Sequence, residues 1–208
     1  MPFLALLDAS VLIPFPLADT LLRTAAAELY DPLWSPDILR EVERTLAGWP
    51  HVGPKRAARR IEHMRSAFPE AKVTGYRHLI ETMPAADEGD RHVVAAALVG
   101  HAHVVVTNNV RHFPAASIRP LSIDIQDPDV FLTHLYHLDP PVVQTVIREQ
   151  AADLHDPPSS VTEVLRTLEP VTPAFVALIR TVTYLAVVAP GSTAVPRIGH
   201  FVDSAQPA

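Results

Sequence analysis

Two short apolar runs in this chain stop abruptly at polar residues. The first, Phe3 to Leu7, ends at Asp8, and the second, Ala102 to Val106, ends at Thr107 and two asparagines. Runs of this length are typical of strands that are buried on both faces of a parallel sheet. Ligands of open α/β sheets bind at the carboxyl ends of the strands, so Asp8 and Thr107 lie where such a protein carries its chemistry.

Helical patterns separate these strands and predict an alternating α/β order. Helices are expected over 17–29, 35–46, 54–66 and 88–100. Ser35 is a favoured N-cap, and Pro36 suits the first helical position. The segment 33–34 is predicted to be a short connection, and further short strands are expected over 72–74 and 117–123.

After about Asp127 the pattern becomes wholly helical. Helices are predicted to start at Asp139-Pro140-Pro141, at the capping box Ser160 to Glu163, and at Thr172-Pro173. We therefore expect an α/β domain over 1–127, a helical extension over 128–189 and a flexible tail over 190–208.

Composition narrows the class of protein. The 208 residues are 48% hydrophobic, which is enough for a sizeable core, and they include no Cys. The absence of Cys excludes disulfides and thiolate metal sites. No stretch approaches the roughly 18 apolar residues of a membrane span, and no basic leader opens the chain. A cytoplasmic protein that does not enter a membrane is expected.

Acidic residues lie between the two apolar runs. Glu41 falls in one predicted helix, and the cluster Asp87-Glu88-Gly89-Asp90 precedes another. Carboxylates that converge from separate segments, with no Cys and no ordered set of His ligands, suit hard cations such as Mg²⁺ or Mn²⁺.

Four motifs, in their order and spacing, resemble the PIN-domain nucleases and among them the VapC-type toxins. The family pattern opens with a strand followed by Asp, a small residue, and Ser, Thr or Asn. The second acid lies in a helix with a Ser-Pro start, and the third lies at the head of an Ala-rich helix. The fourth position follows a later strand as Thr-x-Asp or Thr-x-Asn. In this chain the motifs are Leu7-Asp8-Ala9-Ser10, Ser35-Pro36 to Glu41, Asp87 to Ala97, and Thr107-Asn108-Asn109 with His112-Phe113-Pro114. The resemblance covers roughly residues 1–130.

This resemblance implies a three-layer α/β/α fold with a central, mostly parallel sheet and a C-terminal helical extension. It implies a ribonuclease that uses Mg²⁺ or Mn²⁺, acts as the toxin of a type II toxin–antitoxin pair, binds RNA and a small antitoxin, and forms a homodimer. The implied catalytic residues are Asp8, Glu41, Asp90 and Asn109, of which the three acids are the metal ligands. Ser10 and Thr107 are expected to orient ligands or waters, and Asp87 is a further candidate.

Other interpretations of these residues stay open. Asp8 could only cap a helix, and Asp87 with Asp90 could be a capping arrangement. Asn109 supplies an oxygen but no charge, so a second cation would bind more weakly. A PIN domain that binds RNA or a protein without cleaving, and a metal-dependent DNA nuclease or phosphatase, are the alternative functions. His92 and His112 flank the motifs and could touch RNA, support ligands or be exposed.

The formal net charge of −6 is unusual for a nucleic-acid binder. Bound cations reverse the local sign around an acidic site, however. A basic stretch also lies between Pro54 and Ser66, and helical spacing puts Arg56, Arg59 and Arg60 on one face. This face is interpreted either as a grip for RNA phosphates or as an ordinary solvated surface.

Overall fold

The computed structural model describes residues 3–85, 87–154 and 159–186. The predicted tail over 190–208 lies outside these ranges. In the described ranges no helix has the length and apolar character that crossing a membrane requires.

A parallel four-stranded sheet forms the centre of the fold. The strands are β1 Leu4–Leu7, β2 Asp31–Leu33, β3 Val104–Val106 and β4 Asp124–Gln126, in the order β2-β1-β3-β4. The two apolar runs thus form the two central strands, with Leu7 opposite Val106. Asp8 and Thr107, the next residue of each strand, therefore lie side by side at the carboxyl edge.

The outer strands differ from the sequence prediction. In the segment predicted as a connection at 33–34, Leu33 is the end of β2 and Trp34 follows the strand. β2 is an edge strand, where Pro32 is tolerated because one side of an edge strand needs no donor. The strand predicted over 72–74 is a single bridge between Trp34 and Lys72. The strand predicted over 117–123 is wrong: this segment is helical, and β4 starts only at Asp124.

The helices follow the predicted order. They are α1 Ala9–Leu12, α2 Phe15–Ala26, α3 Pro36–Ala47, α4 Gly53–Ala67, α5 Arg91–Val99, α6 Ala115–Ile118, α7 Pro128–Leu138, α8 Pro140–Asp153, α9 Val161–Leu168 and α10 Pro173–Ala186. Short 3-10 turns cover Pro69–Ala71, Arg77–Thr82, Glu88–Asp90, Val110–His112 and Arg119–Leu121.

Local sequence signals explain several of these boundaries. The Ser35 hydroxyl accepts the Ile38 N–H at 3.1 Å, and Pro36 occupies the first turn of α3, as predicted. The capping box of Ser160 and Glu163 at the start of α9 is also confirmed. Gly100 is the C-cap of α5, as predicted, and glycine suits this position because a Cβ there would come within 2.8 Å of the Val73 side chain.

Helices cover both faces of the sheet. The step from β1 to β2 and the step from β2 to β3 run in opposite directions along the sheet. Right-handed crossovers therefore put α2 on one face and the α3–α5 segment on the other. The predicted three-layer α/β/α fold with a parallel sheet and a C-terminal helical extension is confirmed.

The extension packs on α2 and on the residues next to β1. The Phe131 ring of α7 lies edge-on to Tyr30, with 5.0 Å between ring centroids, and 6.0 Å from the ring of Phe3. Gln150 of α8 is 1% exposed and bridges to α2, where it bonds Thr20 at 2.8 Å and donates to the Pro16 carbonyl at 2.9 Å. The core is thus continuous across residue 127, and the division there into two domains stays a prediction.

A chain that stops after Asp127 should therefore aggregate. Its loss of Phe131 and the rest of α7 would expose Tyr30, which is fully buried in the complete chain, together with the apolar face of α2. Size-exclusion chromatography with light scattering measures the outcome. Phe131→Leu, which keeps an apolar side chain at the contact, is the control and should elute like the wild type. A monodisperse truncated chain that melts cooperatively would contradict the prediction.

Candidate metal centre

Asp8 is the most enclosed acid of the predicted site. It follows β1, is 4% exposed, and caps the N-terminus of α1. Its Oδ1 accepts the Ala9 N–H at 2.7 Å, and its Oδ2 accepts the hydroxyls of Ser10 at 2.6 Å and Thr107 at 2.8 Å. These donors stabilise a carboxylate that would otherwise be costly to bury. The structure therefore shows that Asp8 caps α1, and its role as a metal ligand stays a prediction.

Ser10 and Thr107 tie the ends of β1 and β3 together. Their hydroxyl oxygens lie 3.2 Å apart. The Asn109 N–H donates to the Thr107 hydroxyl at 3.0 Å, and Asn108 donates to Ser10 twice, from its backbone N–H at 3.0 Å and from its side chain at 2.8 Å. The two hydroxyls thus hold Asp8 and the following loop in place, while Asn109 stands half-buried beside them. Sequence reasoning did not identify the contribution of Asn108.

Asp90 forms a second group with Asp87 and His112. One ligand atom from each of these three side chains lies within 4.8 Å of the others. The imidazole Nδ1 of His112 is 2.6 Å from Asp90 Oδ2, and Asp87 accepts the Gly89 N–H at 2.8 Å, which shapes the 3-10 turn.

The surroundings of Asp90 disfavour its ionised form. Burial raises the pKa of Asp90 above its ordinary value. The hydrogen bond with His112 opposes this increase, and the negative charges of Asp8 and Asp87 add to it. The charges of Asp8 and Asp87 thus disfavour the ionised form of Asp90, and a cation in this region would relieve that repulsion.

Glu41 lies in α3 and is bonded to His92 of α5. The His92 Nε2 of α5 is 2.8 Å from Glu41 Oε1, and the Glu41 side chain is 37% exposed. Burial would lower the pKa of His92, but the bond to Glu41 and the charges of Glu41, Asp37 and Asp8 outweigh burial, so the pKa is raised. His92 Nδ1 is buried and has no hydrogen-bond partner among the described residues.

Hydrogen bonds bring Asp8, Ser10, Thr107 and the backbone of Asn109 together at the carboxyl ends of β1 and β3. Glu41 is bonded to His92 of α5. Among the described residues, the group whose ligand atoms lie within 4.8 Å of one another is Asp87, Asp90 and His112 rather than the predicted set of Asp8, Glu41 and Asp90. His92 and His112 could be identified from the sequence as neighbours of the motifs. The spacing of the motifs did not reveal that His92 would bond Glu41 or that His112 would bond Asp90.

The donor set suits a hard divalent cation. His92 is bonded to Oε1 of Glu41, and His112 is bonded to Oδ2 of Asp90. The described residues donate no hydrogen bond to the second oxygen of either carboxylate. Carboxylate and amide oxygens are the preferred ligands of Mg²⁺ and Mn²⁺, and a nearby imidazole is compatible with the second of these ions. Histidines that hold ligating carboxylates are also common supports of such sites.

The basic helix α4 has two kinds of arginine. Arg56 is exposed and donates to the His51 carbonyl at 3.1 Å, and Arg59 is exposed next to it. Arg60, in contrast, is 8% exposed, and its guanidinium points to the carbonyls of Leu12 and Ile13. The prediction that Arg60 shares an open face with Arg56 and Arg59 is wrong, because position 60 lies in the buried stripe of α4 with Ala57, Ile61 and Met64.

Comparison with known proteins agrees with this architecture. A family model described as "PIN domain" matches residues 5–111, and one described as "VapC50 C-terminal domain" matches residues 128–181. The chain is 32% identical over 132 residues to a Mycobacterium tuberculosis protein named "Putative ribonuclease VapC50", across 64% of this chain and 77% of that protein. No solved structure matches. The chain therefore belongs to the PIN-domain family, within its VapC-type group that carries a C-terminal extension.

Proposed function

We propose that this protein is a metal-dependent endoribonuclease and the toxin of a type II toxin–antitoxin pair. The observation that carries the proposal is the geometry of two carboxylates of the site: Ser10 and Thr107 donate to Asp8 at the carboxyl end of β1, and His112 lies 2.6 Å from Asp90 at the start of α5. Membership of the VapC-type PIN family supports this function, as does the word ribonuclease in the name of the mycobacterial relative.

Asp8, Glu41 and Asp90 would hold Mg²⁺ or Mn²⁺, and Asn109 would add a neutral oxygen. A divalent ion bound there would supply a water of lowered pKa and positive charge near a phosphate. The chain itself contributes orientation. Ser10 and Thr107 fix the Asp8 carboxylate, while His112 and His92 hold one oxygen of Asp90 and of Glu41. Because these contacts already order the carboxylates, less conformational entropy would be lost when a cation binds to them.

One feature favours the alternative of a PIN domain that binds RNA or a protein without cleaving. Asn109 takes a position that in the family is often an acid, so the site has one negative charge fewer. Weak binding of a second cation would then leave a binding module. If the wild type cleaves RNA and loses this activity when metal is removed, the protein is a metal-dependent nuclease rather than a binding module. A DNA substrate in parallel with RNA tests the further alternative of a DNA nuclease.

We also propose a homodimer that binds a small antitoxin protein, as the VapC-type resemblance implies. In a closed two-fold dimer the two acidic edges can line one shared groove. Light scattering on the purified chain and on a co-expressed complex measures both assemblies.

We predict RNA cleavage that requires Mg²⁺ or Mn²⁺ and stops on addition of EDTA. Asp8→Asn, Glu41→Gln and Asp90→Asn should each lower the rate by on the order of 100-fold, since losing a fixed anionic ligand weakens the hold on the cation. The control is Asp31→Asn, which neutralises an exposed acid at the start of β2, the opposite end of the sheet. Unchanged cleavage by folded Asp8→Asn protein would refute the site.

Metal binding and stability should change in opposite directions in Asp90→Asn. Because the pKa of Asp90 is raised in the folded chain, its ionised form costs stability once the pH exceeds that pKa, and the amide removes this cost. The metal-free variant should melt no lower than the wild type at pH 7. Saturating Mn²⁺, at about 100 times its dissociation constant, should raise the wild-type melting temperature by about 5–10 °C and the variant much less. Differential scanning calorimetry measures both, and an equal Mn²⁺ effect in the two proteins would contradict the assignment.

The exposed arginines of α4 should contribute to RNA binding through phosphate contacts. Replacing Arg56 and Arg59 together with Ala should lower the slope of log affinity against log salt by about 1.4, at roughly 0.7 per phosphate on a single strand. The matched control replaces Arg148 and Arg166, two exposed arginines of the extension. Fluorescence anisotropy with a labelled RNA, in Ca²⁺ to prevent cleavage, gives the slopes. Equal slopes in the α4 variant and the wild type would show that the face is only solvated.

A further inference from the structure

The last carbonyls of the short helix α1 have few backbone N–H donors near them. Leu12 and Ile13 end the turn, and Pro14 and Pro16 follow within the next residues. Proline has no N–H, so the segment that continues the chain offers fewer donors to the last carbonyls of α1. Buried carbonyls need a donor from elsewhere.

Arg60 supplies those donors from the middle of α4. Its Nη2 donates to the Leu12 carbonyl at 2.5 Å and its Nη1 to the Ile13 carbonyl at 3.3 Å. The planar fork of an arginine can reach two carbonyls at once, which a lysine ammonium does less well. One side chain thus closes α1 from a helix that is 48 residues away in sequence.

The chain keeps a buried charge at this position. Burial lowers the pKa of Arg60 to about 10, against the opposing charge of Asp19, so the guanidinium is still protonated at neutral pH. Asp19 of α2 is 3% exposed and is bonded to Arg23 Nε at 2.8 Å, and Arg23 also meets Asp153 of α8 at 3.0 Å. A buried cation is expensive unless opposite charges balance it. Asp19 offsets part of that cost, and its bond to Arg23, which also meets Asp153, connects this charge to the extension.

α1 connects Arg60 to the metal centre. The helix has four residues, too few to be stable by itself. Asp8 caps its first turn, and Ser10 within it holds both Asp8 and Asn108. A change in the position of α1 would therefore move the Asp8 carboxylate and the hydroxyl that orients it.

We propose that Arg60 is a positioning residue of the metal centre: by closing the C-terminal end of α1, it fixes the turn that presents Asp8 and Ser10 to the cation. This inference rests on the metal-dependent function proposed above. It gives Arg60 a role that differs from contact with RNA.

The test is Mn²⁺ binding by calorimetry, in the full-length chain and without RNA. Arg60→Gln, which removes the charge and shortens the reach, should weaken Mn²⁺ binding by roughly 10–100-fold, the usual range for a lost support of a ligand. Arg60→Lys keeps the charge but not the planar guanidinium. Its Mn²⁺ affinity should lie between those of Arg60→Gln and the wild type. Hydrogen exchange of the peptide over residues 8–13 should rise in the same order.

Met64→Ala is the control for a general loss of stability. Met64 lies one turn after Arg60 on the buried stripe of the same helix, and its truncation should lower the melting temperature without changing Mn²⁺ affinity or exchange over 8–13. A folded Arg60→Gln protein with wild-type Mn²⁺ affinity would overturn the proposal, and so would an equal loss of affinity in Met64→Ala. If Arg60→Gln does not fold, Arg60→Lys provides the comparison. Failure of the wild type itself to bind Mn²⁺ would instead remove the proposed metal-dependent function.

Discussion

The buried carboxylate of Asp8 is the constraint on which the site depends. A charge at the end of a buried strand is tolerated only when donors surround it, and here the donors come from its own helix turn and from the neighbouring strand. The parallel pairing of β1 with β3 brings Thr107 to Asp8, and this contact fixes the loop that carries Asn109. Hydrogen bonds thus hold the Asp8 carboxylate in one orientation.

Strands that are buried on both sides could be predicted from the sequence, and edge strands could not. β1 and β3 are apolar runs because both of their faces lie under helices. β2 contains Pro32 and β4 contains Asp124 and Gln126, so neither has the pattern of a central strand. Their pairing comes from the position of β1 and β3, not from their own composition. Helix starts were easier, since caps such as Ser35 act through neighbours three residues away.

The positions of Asp8 and Asp90 could be predicted for a similar reason, because Asp8 follows β1 and Asp90 precedes α5, whereas Glu41 lies in the middle of α3. The contacts that support these acids could not be predicted. His112 meets Asp90 across 22 residues and His92 meets Glu41 from another helix, and no local spacing encodes such contacts. Arg60 is a different case: Ala57, Ile61 and Met64 form a stripe at helical spacing, and position 60 falls within it. The periodicity of α4 indicated burial there, while the identity of the residue indicated exposure, and packing decided the outcome.

The pairing of β1 with β3 also determines when the site can exist during synthesis. Asp8 and Thr107 are 99 residues apart, and His112 lies further on. A ribosome makes the first ligand early and the last group of the site only after half of the chain has been translated. The apolar face that α7 and α8 cover remains open until the final third has emerged, and domains generally fold as units. A nascent chain that lacks Thr107 and His112 therefore lacks the contacts that hold Asp8 and Asp90, and the proposed centre can form only after these later segments have been translated.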